Sequence, residues 1–263
     1  MYLHNLNPTL LNLGPLEIRW YGLVYVFGFL LGVYFLQKKR AHLNLSKEDV
    51  WDLIFYVMIG VIIGARLFEL LWEPKYYLSN LGNIFKIWQG GMSFHGGFVG
   101  SVVGAWLYCK KKKRDFLPLA DILVIPAVFA LALGRIANFV NGELGGRAWN
   151  GSWCVNFKNK GGGDICRHPY VIYEAVKRFL IFAWLLWLSY KKKFKAGFIF
   201  WNFIFWEGCG RFILDFFREE TLYFSLTVGQ WLSFVMVGGA LYSFHKYYKG
   251  EWEIVLKKRT SEE

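Results

Sequence analysis

The chain has no Gly-rich loop closing on Lys-Ser/Thr, no His-Glu-x-x-His and no Gly-x-Ser-x-Gly. A nucleotide hydrolase, a zinc protease and a serine hydrolase therefore have no motif to stand on. It lacks a basic start with a small-residue cleavage site ahead of its first apolar stretch, so no removable signal peptide is expected. Long apolar runs without alternation exclude a closed membrane β-barrel. Acidic residues are few: 19 Asp and Glu stand against 31 Lys and Arg, a net charge of +12. Such an excess can serve nucleic acid, but here the basic residues fall in short clusters between apolar segments, so no nucleic-acid partner is expected.

What is present is apolar. Hydrophobic residues make up 55% of the chain, and 13 Trp and 15 Tyr suit the two membrane–water interfaces. Seven stretches are long enough to cross a hydrocarbon layer of about 30 Å: 20–36, 51–72, 92–108, 117–139, 170–190, 196–217 and 227–247. The expectation is an all-α integral membrane protein, one domain over residues 1–263, with seven transmembrane helices and a polar loop at 141–168. Lys and Arg number 8 in the lead-in and the loops on its side, against 17 in the other loops and the tail. Basic loops stay inside, so the N terminus is expected outside and the C terminus in the cytoplasm. Small residues at Gly28 and Gly32, and at Gly96, Gly100 and Gly104, have the spacing that lets helices approach closely.

Charge inside these stretches is where function is sought, because an ionised group at mid-membrane costs on the order of 2.5–3.5 kcal/mol. Residues 134–147, GRIANFVNGELGGR, carry Arg135, Asn138 and Glu143 out of an apolar run into glycines that end the helix. Arg66 and Glu69 stand three apart and could pair. Glu207, Arg211 and Asp215 recur every four residues on one face. Glu174, Lys177 and Arg178 lie near the start of the fifth stretch. Arginines 66, 135 and 211, from three stretches, either pair with these carboxylates or share an anion, for which guanidinium forks and lipid phosphate are suited. His95 is either a satisfied structural group or a proton acceptor near neutral pH. On position alone Tyr21 is an interfacial aromatic. Cys154 and Cys166 are candidates for a disulfide, or with His168 for a weak metal signature.

Four segments, WQGGMSFHGG (88–97), GRIANFVNGELGGR (134–147), RHPYVIYE (167–174) and GRFILDFFRE (210–219), resemble, in order and spacing, the motifs of bacterial prolipoprotein diacylglyceryl transferase. The resemblance covers nearly the whole chain. It implies a multi-pass, seven-span enzyme of the bacterial inner membrane. Such an enzyme transfers diacylglyceryl from phosphatidylglycerol to the thiol of the lipobox cysteine in a prolipoprotein signal peptide, releasing glycerol 1-phosphate, with no metal or soluble cofactor. By resemblance Arg135 binds the headgroup, Arg211 is a second arginine needed for turnover, and His95 is the candidate base. Tyr21, Asn138, Glu143 and Gly146 match further site positions, and Arg66 joins them as a binding candidate. The chain departs from the family's pattern in having Asp215 for Glu, Glu207 for Tyr, Tyr170-Val171-Ile172 for Ser-Gln-Leu and Glu220-Thr221 for Pro-Asp. The rival class is an anionic-lipid-binding protein or transporter without chemistry, which predicts internal repeat symmetry; the two halves have none.

The asymmetry of basic loops yields a first test. On intact cells a membrane-impermeant thiol reagent should label a cysteine placed at Asn5 and miss one placed in the tail; the reverse pattern overturns the orientation.

Overall fold

Glycines let two helices touch backbone to backbone. The structure, a computed structural model, describes residues 1–14, 16–79, 81–86, 93–143, 145–191 and 194–256, with backbone only at 16, 72, 94, 95 and 256. Its elements run β1 (Tyr2–Leu3), β2 (Thr9–Leu13), β3 (Leu16–Arg19), α1 (Trp20–Lys39), α2 (Lys47–Trp72), α3 (Pro74–Ser79), α4 (Phe94–Lys111) and α5 (Phe116–Asn141). They continue as β4 (Val155–Asn156), β5 (Cys166–Arg167), α6 (Tyr170–Lys191), α7 (Phe198–Leu214), α8 (Val228–Tyr247) and α9 (Lys249–Leu256). The chain is predominantly helical, and a helix lies over each of the seven apolar stretches. Among the described residues three helical segments, Trp20–Leu43, Lys47–Leu71 and Phe116–Asn141, are long and apolar enough to cross a membrane. α6 carries Glu174, Lys177 and Arg178 early, and α7 is only 17 residues long. Side chains such as Phe55, Ile63, Leu67, Leu180 and Val235 are more than half exposed on their helices. In water that surface would aggregate; against lipid tails it costs nothing.

Two compact units divide the chain: Val33–Leu119, and Met1–Gly32 with Ala120–Glu263. In the first, α2 packs along α4. A Cβ on Gly60 or Gly64 would run into the backbone of Gly100 or Gly96, and one on Gly104 into that of Tyr56. The 96–100–104 repeat thus has its partner in Gly60 and Gly64 of α2, and backbones touch where side chains would hold them apart. Ser46 starts α2 with a reciprocal capping box to Asp49. Asp49 also receives Arg114 at 3.0 Å and Lys112 at 3.2 Å, joining the end of α4 to the start of α2.

In the second unit α7 packs on α6 and α8. Gly28 of α1 meets Ala130 of α5, whereas Gly32 faces open space, so only one of that expected pair is a contact. Asp121, the lone charge early in α5, caps α7 from outside: its carboxylate accepts from the backbone N–H of Gly197 at 2.6 Å and of Phe200 at 2.8 Å. Gly197 has no side chain to do this itself, and the α7 N-terminus would otherwise leave those donors orphaned. Thr227 and Gln230 form a capping box at α8. The lead-in forms strands: β2 and β3 make an antiparallel hairpin, and β1 pairs with β4. β4 pairs in turn with β5, across the disulfide Cys154–Cys166. That bond decides between the two readings of these cysteines and removes both from any metal site.

Gly100→Leu should force α2 and α4 apart and cost at least the 1–3 kcal/mol typical of overpacking, read as a lower thermal midpoint in detergent. Gly32→Leu, at an open position, is the control; equal loss in both would show that the glycine seam is unimportant.

Candidate active site

Arg135, Arg211 and their partners all belong to the second unit. Arg135 stands on α5 one and a half turns before the helix ends, where Gly142 takes a left-handed φ of 77° and donates to Phe139. Its Nε lies 3.8 Å from Glu174 of α6, a carboxylate with no exposed surface. The Nε edge therefore faces an acid, and Nη1 is 3.4 Å from Asn138 Oδ1. Glu174 is also paired with Lys177 at 3.0 Å and with Arg178 at 3.0 Å. Both cations reach across to Glu207 of α7, at 3.0 and 2.8 Å.

The expected acidic–basic–acidic face of α7 is divided between two neighbours. Glu207 turns to Lys177 and Arg178, and Arg211 pairs with Asp215 at 3.0 Å. Asp215 is fully buried and accepts from Tyr170 at 3.0 Å and from Thr227 at 2.8 Å. Gly229 of α8 leaves room for this pair, since a Cβ there would meet the Arg211 guanidinium at 3.0 Å and overlap the carboxylate. Arg211, Arg178, Glu174 and Tyr170 all lie within electrostatic reach of Arg135. The result is a half-buried basic site with fixed donors and buried counter-charges, an arrangement that can hold a phosphate.

Around this centre, Glu143 receives Asn138 Nδ2 at 2.8 Å and Asn141 Nδ2 at 3.0 Å. Tyr21 accepts from the hydroxyl of Tyr25 at 2.7 Å, and Tyr25 lies within electrostatic reach of Glu143 and Arg135. Gly146 is a joint: its N–H donates to His168 O at 3.1 Å, it bridges to Arg218, and a Cβ would meet Phe217 O at 2.8 Å. It needs to be glycine because three backbones converge there. His168 stacks on Trp149 at 4.4 Å, and burial holds its pKa below the usual histidine value, so the ring stays neutral at pH 7.

Arg66 is in the other unit. It donates to Ile84 O at 2.8 Å, to Tyr77 Oη at 3.0 Å and to Asn83 O, and lies over the Tyr77 ring. It thereby shapes the segment that follows α2. His95 lies in the first turn of α4, behind the N-cap Ser93, and its side chain is outside the described residues. Among the described residues no group of three or more His, Cys, Asp or Glu could hold a metal. Glu174, Lys177, Arg178, Tyr170 and Thr227 surround Arg135, Arg211 and Asp215 without being candidates from sequence. The first three had a signal, three ionisable residues in five at the head of an apolar stretch. Tyr170 and Thr227 had none, because their partner Asp215 is distant in sequence.

Asp215→Ala strips Arg211, Tyr170 and Thr227 of a common acceptor, and breaking a buried pair typically costs about 3–5 kcal/mol. Glu219→Ala removes an exposed partner of Arg167 and should cost at most about 1 kcal/mol. Thermal midpoints in detergent should separate the two; equal shifts would mean that Asp215 is not the anchor of Arg211.

The family model for prolipoprotein diacylglyceryl transferase matches residues 8–245. Among curated proteins, the chain is 41% identical over 245 residues to the phosphatidylglycerol–prolipoprotein diacylglyceryl transferase of Geobacter sulfurreducens, covering 90% of this chain and 93% of that one. The protein of the same name from Bordetella parapertussis is 40% identical over 252 residues, covering 91% and 95%. The one from Rickettsia rickettsii is 41% identical over 245 residues, covering 89% and 93%. With matches running nearly end to end on both sides, the chain belongs to the prolipoprotein diacylglyceryl transferase family.

Proposed function

We propose that this chain transfers the diacylglyceryl group of phosphatidylglycerol to the thiol of the lipobox cysteine of prolipoproteins, the first step of bacterial lipoprotein maturation. The observation that carries the reading is the pair of half-buried arginines, each backed by its own carboxylate, in a chain that matches the family over residues 8–245. In the reaction the cysteine sulfur bonds to the primary carbon of the diacylglyceryl group. The bond from that carbon to the phosphate oxygen breaks, and glycerol 1-phosphate leaves with the electron pair. The thiol, with a reference pKa of about 8.5, must lose its proton first; we assign that proton to His95. The reaction as written needs no cofactor.

Arg135 is the phosphate ligand in this proposal: Glu174 lies against its Nε and Asn138 accepts from Nη1, and the remaining Nη hydrogens are left for phosphate oxygens. Arg211 stabilises the charge that grows on the leaving phosphate, which fixed donors do best where water is scarce. Tyr21, Asn138 and Glu143 line the approach, and Gly146 keeps the loop 141–168 against the end of α7. Arg66 takes part by ordering the chain beyond α2. We place the enzyme in the bacterial inner membrane as one domain with seven spans and its N terminus outside. The lipid and the apolar signal peptide then both arrive sideways through the bilayer, and the membrane helices present their exposed apolar faces to it.

Purified protein with phosphatidylglycerol and a lipobox peptide should give a peptide heavier by one diacylglyceryl group; no mass gain in any detergent or vesicle overturns the reading. In that assay Arg135→Lys keeps the charge, loses the fork and should lose most activity while staying folded. His95→Asn should slow transfer by about 10²–10⁴-fold, a deficit that shrinks as pH rises past the thiol's own pKa. A deficit equal at every pH would remove His95 as the base.

A further inference from the structure

The charges clustered around Arg135 and Arg211 do not cancel. Arg135, Lys177, Arg178 and Arg211 face Glu174, Glu207 and Asp215, leaving one positive charge. None of these side chains is more than 25% exposed, and two of the acids have no exposed surface. The charges at the rim differ in kind. Glu143 is exposed, and Arg167 and Arg218 are paired with the more accessible Glu219 and Glu220, so water and salt damp them. It is the buried set that a bound phosphate meets at close to full strength.

Glu207 is the member of the set that can be altered without touching a candidate ligand. It makes no ion pair with Arg135 or Arg211 among the described residues; both of its partners, Lys177 and Arg178, lie on α6. One of its oxygens bonds both cations, and the other is buried without a hydrogen-bond partner. The stem of Lys177 crosses α7 over Gly210, the residue before Arg211, where a Cβ would meet its Cγ at 2.8 Å, and Arg178 lies within electrostatic reach of Arg135. Ionised, Glu207 cancels a charge beside the site; neutral, it would leave Lys177 and Arg178 with Glu174 alone.

We propose that Glu207 sets which phosphate the site prefers, by holding the buried set at one net positive charge, the complement of a singly charged phosphodiester headgroup. This rests on the reading that the Arg135–Arg211 site binds the headgroup phosphate. The reaction turns a phosphodiester, charge −1, into a phosphate monoester whose second proton leaves near pH 6. At pH 8 the product is a dianion. In a site of charge +1 the lipid is neutralised, whereas the product leaves an uncompensated negative charge in an apolar bundle, which drives its release. A site of charge +2 would neutralise the product and retain it.

The test is product inhibition by glycerol 1-phosphate at pH 8, with the full chain in phosphatidylglycerol vesicles and a lipobox peptide. Glu207→Gln should lower the inhibition constant about tenfold, and Lys177→Met should raise it about tenfold, as expected for one unit charge acting through a partly buried path. The KM for phosphatidylglycerol should move in the same directions by about half as many powers of ten. Glu207→Asp and the double variant Glu207→Gln/Lys177→Met both keep the net charge and should stay within about threefold of the parent. If one single variant does not fold, the other measured against the double variant decides by the same sign. Single variants that shift inhibition in the same direction, or leave it unchanged while the thermal midpoint falls, overturn the proposal and make the cluster structural. If the parent itself transfers nothing, the proposed function fails instead; transfer and inhibition in the parent with no opposed shifts sink this inference alone.

Discussion

Glu174, a carboxylate with no exposed surface among Arg135, Lys177 and Arg178, is the constraint on which the site depends. A lone carboxylate at that depth would cost several kcal/mol. Three cations offset that cost and are in turn fixed by the carboxylate. Each cation then needs more negative charge than one carboxylate carries, and Glu207 supplies it from the next helix. The same reasoning recurs beside it, where Asp215 gathers Arg211, Tyr170 and Thr227. Every arginine nominated in this unit is held by an acid on its own or a neighbouring helix, which is what pre-organised recognition of an anion requires.

Fixing charges this well requires helices that do not slide. In an apolar medium there is little hydrophobic force between helices, so position comes from close contact and hydrogen bonding. Glycines supply the first: Gly60 and Gly64 against Gly96, Gly100 and Gly104 in one unit, and Gly229 beside Arg211 and Asp215 in the other. Side chains supply the second where backbone ends are bare, as when Asp121 caps α7 from α5. The loop after α5 is restrained by the Cys154–Cys166 disulfide, by its short strands and by the Gly146 joint to His168 and Phe217. Its polar backbone is thereby satisfied next to an apolar bundle, where unpaired groups would be expensive.

Much of this could be read from sequence. Apolar length located the helices, because a segment that must satisfy its own backbone in an apolar medium has few options besides a helix. Arg135, Asn138 and Glu143 stood out as charge and amide at a helix end, and the glycine repeat at 96–104 identified itself by spacing. The lead-in strands could not be read, because β1 is two residues long and owes its existence to β4, some 150 residues away. Nor could the use of Gly28 without Gly32, since spacing offers a face and only packing accepts it.

The sequence by itself determined the kind of molecule and its chemistry class: apolar runs, arginines inside them, and motifs whose order is that of one family. Tertiary structure alone decided which acid serves which base. On α7 the four-residue spacing made Glu207 and Asp215 equally good neighbours for Arg211. α6 broke the tie by bringing Lys177 and Arg178 to Glu207, and Tyr170 and Thr227 reinforced the claim of Asp215. A local pattern fixes which partners are within reach along one helix. The choice among them is made by the desolvation energy of the whole buried set, which exists only once the helices are packed.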